Sequence, residues 1–489
     1  MPSRTHFPPG CQSFGLLIVA VAAAAPSARA ALAISGGTTK NVSCVSGVCT
    51  ATAATAVLNK NDLEMMLASS NVQVVPGSVA MNIAINTGVT WASANTLTLD
   101  AYQSIVIGQK VSVNGTGGLA IVTNDGGSGG DYMFGPKGKV TFLGTSNSLT
   151  ISGTAFTLLG SMSDVQAINN NLNGNYALAN SYNASGVKNW VPLGTDGMGN
   201  ILNSNKGFAG AFEGLGHTIS NLSANIGKYD YAGLFGASAG IIRDLGVVGG
   251  TVTGKKYVGG LAGFSFGGSV SHSYSTGNVG AESSDISYVG GLVGYNAAAT
   301  ISDSYATGAV AGGSEVGGLV GSNYDNGVIS ASFATGTVTA TSPNSQGAGG
   351  LVGINHYRTT TIENSYATGA LPGNTNYRGG LVGYNDTEAV NVAITNSYAT
   401  GVISNSGSEV GGFAGCTTDN INNGYWDVET SGISGTHGDG CSANEPGITG
   451  LTTAQLQSGL PSGFDPTIWA ENPSINNGFP YLLANPPPQ

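Results

Sequence analysis

Charge is what this chain of 489 residues has least of. Asp, Glu, Lys and Arg together make up 8% of it, against a usual share of about 25%. Its 15 Lys and Arg residues form no run, so it has neither the phosphate-neutralising footprint of a nucleic-acid binder nor a polybasic membrane patch. The residue types that build coiled coils do not dominate, and glycine lacks the three-residue period of collagen. No His-Glu-x-x-His occurs, which removes that metalloprotease signature. Beyond residue 30 no apolar run reaches 18 residues, so no transmembrane helix is expected in the mature chain. What the chain does have is glycine, 79 residues, about 16% against a usual share of roughly 7%. Hydrophobic residues are 41% and come in short bursts. The polar surface must therefore be mostly Asn, Ser, Thr and Gly.

Residues 1–30 read as a secretory signal peptide. Arg4 sits in a short polar start, Phe14 to Ala25 is apolar, and Ala28-Arg29-Ala30 is a small-x-small cleavage site, with Ala33 as a second choice. The apolar core is too short to span a bilayer. Losing Arg4 and Arg29 takes the formal net charge from −11 to −13. Cys11 leaves with the signal, and Cys44, Cys49, Cys416 and Cys441 remain. An even count in an exported chain suggests disulfides, and locality pairs Cys44 with Cys49 and Cys416 with Cys441. A metal site around His437, Asp439 and Cys441 is the rival, disfavoured because Cys441 has a partner in Cys416.

A tetrapeptide Gly-Leu-x-Gly recurs, with its leucines at Leu234, Leu261, Leu292, Leu319, Leu351 and Leu381 and a degenerate copy at Phe413. The intervals are 27, 31, 27, 32, 30 and 32 residues. A second motif, Ser-Tyr-x-Thr-Gly, follows the middle copies and places Tyr274, Tyr305, Phe333, Tyr366 and Tyr398 in register. A third register holds Asn296, Asn323, Asn355 and Asn385. The bursts are too short for helices and right for strands. One unit cannot bury its own apolar face, whereas stacked units put Leu on Leu, Tyr on Tyr and Asn on Asn. The expected fold is all-β: a right-handed parallel β-helix (a β-solenoid) of ~30-residue repeats, with about three strands per coil and short capping helices. Glycines are expected at corners with φ > 0 and the Asn column is expected to tolerate that conformation too. The longest inserts fall at 282–287 and 339–346. About 15 coils at about 4.8 Å each would make a rod of about 70 Å. Asn61 to Glu64, Ser163 to Gln166 and Thr452 to Gln455 read as helix-opening caps. Trp426, Trp469, Phe479 and Tyr481 are expected to cap the open end.

At these residues the chain resembles the bacterial GLUG-motif repeat family, common in filamentous-haemagglutinin-like surface proteins. The lead-in Phe212 to Leu222 and the stretches Gly424 to Asp427, Gly450 to Gln455 and Phe464 to Pro466 share that resemblance, strongest over 205–482. Residues 75–160 resemble the passenger β-helix of haemagglutinin-like exoproteins more loosely. The resemblance implies a surface or secreted location and an adhesive role, with no named ligand. The sequence carries neither the Asn-Pro-Asn-Gly signature of two-partner secretion nor a C-terminal run of ten-residue amphipathic strands. The expected division is a signal peptide (1–30), an N-terminal β-helix and cap region (31–160), a lead-in segment with a short helix (161–230), GLUG repeats (231–425), and a C-terminal cap with a Pro-rich tail (426–489).

Other motifs do not carry chemistry. Ser238 and Ser265 fit Gly-x-Ser-x-Gly, yet both sit where later repeats put Asn. Gly249 to Lys256 nearly matches a P-loop but lacks the Ser or Thr and the helix. Gly126 to Phe134 fits a single calcium-binding nonapeptide, which needs successive copies, so a turn is expected. Glu213 and His217 are expected in a turn. The resulting expectation is a non-enzymatic adhesin-like module, with no catalytic residue, metal or cofactor. Its partner class is a host or biofilm glycan or a cell-surface protein. The alternatives are a carbohydrate-active β-helix enzyme and a structural coat protein.

Overall fold

The computed structural model describes residues 30–281, 286–342, 345–386, 393–418 and 420–488. The expected signal peptide falls almost wholly outside them, as do parts of the two longest expected inserts. Strand accounts for 46% of the chain and helix for 9%, arranged as a β-solenoid of about 15 turns.

The first section builds three parallel ladders. One runs Thr55–Asn59, Ala31–Ser35, Asn82–Ile85, Ile105–Ile107 and Tyr132–Phe134. A second joins Val89–Trp91, Lys110–Val113 and Lys139–Phe142. The third climbs from Val48–Ala51 to Ser148–Ile151. Alternating residues such as Leu97, Leu99, Ile105 and Ile107 point inward and are fully buried.

A tight hairpin then reverses the chain. Ser152 (φ 46°) and Gly153 (φ 78°) make the turn, and Ser148–Ile151 pairs antiparallel with Thr154–Leu159. Positive φ at both central residues is what a two-residue hairpin turn requires. The reversed strand continues parallel to Asn175–Leu178 and Ala211–Ser220. These strands carry a core on each face. Leu158, Ala177 and Leu215 belong to the first core, whereas Leu159, Tyr176, Leu178 and Phe212 belong to the second. The coils therefore do not form one uninterrupted stack.

From Ala232 onward each coil has four ladders rather than three. In one coil these are Tyr257–Gly259, Ala262–Phe266, the split pair Ser269–Ser271 and Tyr274–Ser275, and Asn278–Ala281. Each pairs in parallel with its counterpart one repeat later. Leu234, Leu261, Leu292, Leu319, Leu351, Leu381 and Phe413 are all fully buried in the second core.

The repeat glycines serve close approach, not positive φ. A Cβ on Gly260, Gly291, Gly318, Gly350 or Gly380 would strike the carbonyl oxygen of the equivalent glycine one coil on, so a side chain cannot enter that column. The left-handed corner is instead taken by the residue before the Ser-Tyr motif: His272, Asp303, Ala331, Asn364 and Asn396, with φ of 44–48°. Asn and Asp tolerate this region best.

The helix caps shift slightly. Asn59, not Asn61, caps Lys60–Ser69, and Ser161, not Ser163, caps Met162–Ala167. Thr452 and Gln455 form the expected capping box. Trp426 continues the column of Ala334, Ala367 and Ala399 and fills the lumen at the last coil. Residues 452–485 do not cross the open end. They run back along the flank as a strap, placing Leu456, Phe464, Trp469, Phe479 and Leu482 against Phe333, Tyr366, Tyr398 and Tyr425.

Both disulfides are present. Cys44 and Cys49 face each other across a hairpin, and Cys416 is bonded to Cys441. His437 is exposed and contacts Thr436 at 3.0 Å.

Candidate functional site

Register turns each repeated residue into a column. The buried amides form one: Asn296 Nδ2 donates to Asn323 Oδ1 at 2.7 Å, Asn323 to Asn355 at 2.8 Å, Asn355 to Asn385 at 2.8 Å, and Asn385 to Thr417 Oγ1 at 2.9 Å. Ser238 and Ser265 occupy the first rungs of this column and are buried, so neither is an exposed nucleophile. The motif serines form another column. Ser304 N donates to Ser332 Oγ, and Ser332 N to Ser365 Oγ, both at 3.2 Å. These columns satisfy buried polar groups; they are scaffold.

The motif tyrosines stack face to face. Ring centroids from Tyr274 through Tyr305, Phe333 and Tyr366 to Tyr398 are 4.7, 4.8, 4.8 and 5.1 Å apart, nearly coplanar. The strap covers Phe333, Tyr366 and Tyr398, leaving Tyr274 and Tyr305 half-buried. Tyr398 Oη donates to Pro480 O at 2.6 Å.

A second aromatic strip lies on another face, made by two neighbouring columns. The first runs Tyr231, Tyr257, Tyr288, Glu315, Gly347, Tyr377. The second runs Phe264, Tyr295, Ser322, Ile354, Tyr384. Tyr231, Tyr257 and Tyr288 stack at 4.9 and 5.0 Å, and Tyr295 meets Tyr288 edge-on at 4.9 Å. Lys256 Nζ lies 4.9 Å from the Tyr257 centroid. Tyr257, Tyr288, Phe264, Tyr377 and Tyr384 remain partly exposed.

The strip is interrupted at Glu315, Gly347, Ser322 and Ile354. Glu315 is buried, and burial pushes its carboxyl up to about 8, opposed by Ser322 and Lys256. Ser322 Oγ lies 3.3 Å from His356 Nε2, and burial lowers His356 to about 4. At neutral pH the gap thus carries a protonated carboxyl and a neutral imidazole. A cavity of about 350 Å³ opens beside it, lined by Ser345, Gln346, Ile354, His356, Asn376, Tyr377 and Tyr384. The gap's one signal in the sequence is the replacement of Tyr by Glu315 and Gly347 in an otherwise aromatic register.

Charge concentrates at the junction of the two sections. Arg243 pairs with Asp131 (both Nη–Oδ contacts 3.1 Å) and with Asp244 (2.8 Å), and its guanidinium lies 3.9 Å from the Tyr132 ring centroid. Tyr132 Oη donates to Glu213 Oε1 at 2.6 Å. Burial raises the Glu213 carboxyl well above its usual range. Glu213 and His217 lie on the strand Ala211–Ser220, not in a free turn, with a register shift between them. His217 Nε2 sits 2.6 Å from Val140 O, and burial lowers His217 to about 4. Asp131, the last acid of the calcium-like stretch, is thus engaged by Arg243. The cluster is a clamp between the two sections.

Comparison with known proteins matches the GLUG motif in four copies, at residues 254–280, 285–311, 312–339 and 344–371. A stretch of 117 residues, 22% of this chain, is 35% identical to halomucin of Haloquadratum walsbyi. The chain spans about 1% of that protein's length. A crystal structure of a Bacteroides ovatus protein provisionally named an immunoglobulin A1 protease aligns over 68% of this chain and 93% of its own, at 18% identity and a TM-score of 0.44.

Proposed function

We propose that this GLUG-repeat β-solenoid is an exported, non-enzymatic, adhesin-like binding module at or beyond the cell surface. The observation that carries this reading is the partly exposed aromatic strip from Tyr231 to Tyr384. A solenoid repeats its surface chemistry once per coil, so a weak contact multiplies along the axis. Exposed aromatics supply contact area at low entropic cost. Two disulfides fit an oxidising compartment, as does the signal-like sequence of residues 1–30. The working division remains 1–30, 31–160, 161–230, 231–425 and 426–489. The partner is a host or biofilm glycan or a cell-surface protein.

A carbohydrate-active enzyme is the second reading. The protonated Glu315 beside a cavity is the feature that favours it, because a raised carboxyl can act as a general acid; glycoside hydrolysis also needs a second carboxylate across the bond. Glycan-array and cell-binding assays on residues 31–489, with product analysis of whatever binds, decide between them. Binding without cleavage is the expected result. Cleavage overturns the binding-module reading, and absence of any binding leaves a coat protein.

A further inference from the structure

We infer that the break in the aromatic strip at Gly347 is a binding pocket for one ring of a neutral hexopyranose. The inference rests on the binding-module reading and names its ligand class.

This protein stacks its own rings one per coil, 4.7–5.1 Å apart. In the column Tyr231, Tyr257, Tyr288, Glu315, Gly347, Tyr377 the rung at Gly347 has no side chain. It cannot acquire one, because a Cβ there would strike Gly353 O and come within 2.8 Å of Ile354 Cγ1. The cavity opens at that rung, with Tyr377 from the next coil and Tyr384 beside it, their centroids 5.4 Å apart. A flat ring entering the rung lies one coil spacing from Tyr377, the distance at which the chain packs aromatic on aromatic elsewhere. At about 350 Å³ the cavity falls in the roughly 300–1,000 Å³ range of small-ligand sites.

The polar groups select what kind of ring. Gln346 and Asn376 bring amides; Ser345 Oγ donates to Ser314 O at 2.7 Å and keeps lone pairs to accept with, and His356, its Nε2 3.3 Å from Ser322 Oγ, is held neutral by burial. Several short donors and acceptors around an apolar floor of Ile354 match a ring with hydroxyls on its edge and C–H groups on its face. Among the described residues no Lys or Arg lines the cavity, and Asp386 stands nearby on the His356 column, so a carboxylated or sulfated sugar meets no counter-charge there. Tyr377 holds its ring from a left-handed backbone, φ 52°, a conformation bulky residues seldom adopt.

The test uses the chain from residue 31 to 489. Saturation-transfer NMR with methyl glycosides of glucose, galactose and mannose, and with glucuronate as the acidic probe, is run on wild type, Tyr377→Ala, Gln346→Ala and a control, Tyr274→Ala, on the other face. The expected result is binding of at least one neutral glycoside, weakened tenfold or more by Tyr377→Ala and measurably by Gln346→Ala, with the control within twofold. Gln346 is exposed, so its variant reports even if Tyr377→Ala fails to fold. Neutral-glycoside binding unmoved by both pocket variants overturns the inference, as does preference for glucuronate. If no glycoside binds while the glycan-array or cell assay remains positive, the pocket assignment fails and the binding-module reading stands. Silence in every assay removes both.

Discussion

Substituting Asp for Asn323 probes the amide ladder through pH. Asn323 accepts from Asn296 and donates from Nδ2 to Asn355 Oδ1 at 2.8 Å and to Gly327 O at 3.0 Å, and the residue is fully buried. In Asn323→Asp the acceptor survives, but an oxygen stands where two donor hydrogens stood. Ionised, it faces two oxygens without water; protonated, it restores one of the two bonds. The folded-state pKa of the new carboxyl is therefore raised above the unfolded value of about 3.9. Below about pH 4 both states hold the proton, and the variant loses about 1 kcal/mol for one missing bond. As pH rises the unfolded chain ionises first, and stability falls by about 1.4 kcal/mol per pH unit. By pH 7 the added loss reaches about 4 kcal/mol, unless the folded-state pKa is passed earlier. Urea unfolding followed by circular dichroism from pH 4 to 8 measures this, with Asn323→Leu as a variant whose deficit has no such slope. A deficit for Asn323→Asp that stays flat across that range refutes the ladder as described.

Three further outcomes are expected. Glu315, pushed up to about 8, contributes stability that is complete below about pH 4.5 and lost as pH climbs toward 8; melting temperature should fall over that window in wild type and fall less in Glu315→Gln, and parallel curves would count against a buried protonated acid. Leu319→Asp places a carboxylate in a continuous apolar column and should open several neighbouring coils, read as lost hydrogen-exchange protection from 290 to 355; unchanged thermal stability would contradict the register. Ending the chain after Leu451 bares Phe333, Tyr366 and Tyr398 and should raise binding of a hydrophobic dye and lower the melting temperature; a truncated chain identical to wild type in both would deny the strap its role.

Much of the repeat section is legible because its signal is local and periodic. Leu319 announces its place through Leu292 and Leu351, about one coil away on either side, and Asn323 through Asn296 and Asn355. The disulfides are legible because each pair is close in sequence. The fourth ladder is hidden because Ser269–Ser271 and Tyr274–Ser275 are too short to show alternation. The clamp is hidden because Arg243 and Asp131 are 112 residues apart and Asp131 lies outside the repeats. The aromatic-strip gap is hidden differently: Glu315 and Gly347 look like drift in a degenerate repeat until the register sets them between tyrosines. The strap is hidden because aromatics near a chain end suggest a lid over the last coil, and only tertiary packing turns them along the flank.

That strap also sets an order of events. Neighbouring coils close loops of about 30 residues, whereas Trp469 reaches Asn364 across 105 residues and Asn485 reaches Ser304 across 181. Loop-closure entropy grows with the logarithm of length, so the longest of these contacts costs about 1.6 kcal/mol more to form than a coil-to-coil contact. The coils can zip one upon the next while the chain is incomplete, but the strap has nothing to grip until its ladder exists. Its docking is a late sealing step. Before it, the face from Phe333 to Tyr425 is a bare row of rings, and the growing molecule is most prone to stick to its own copies in that interval.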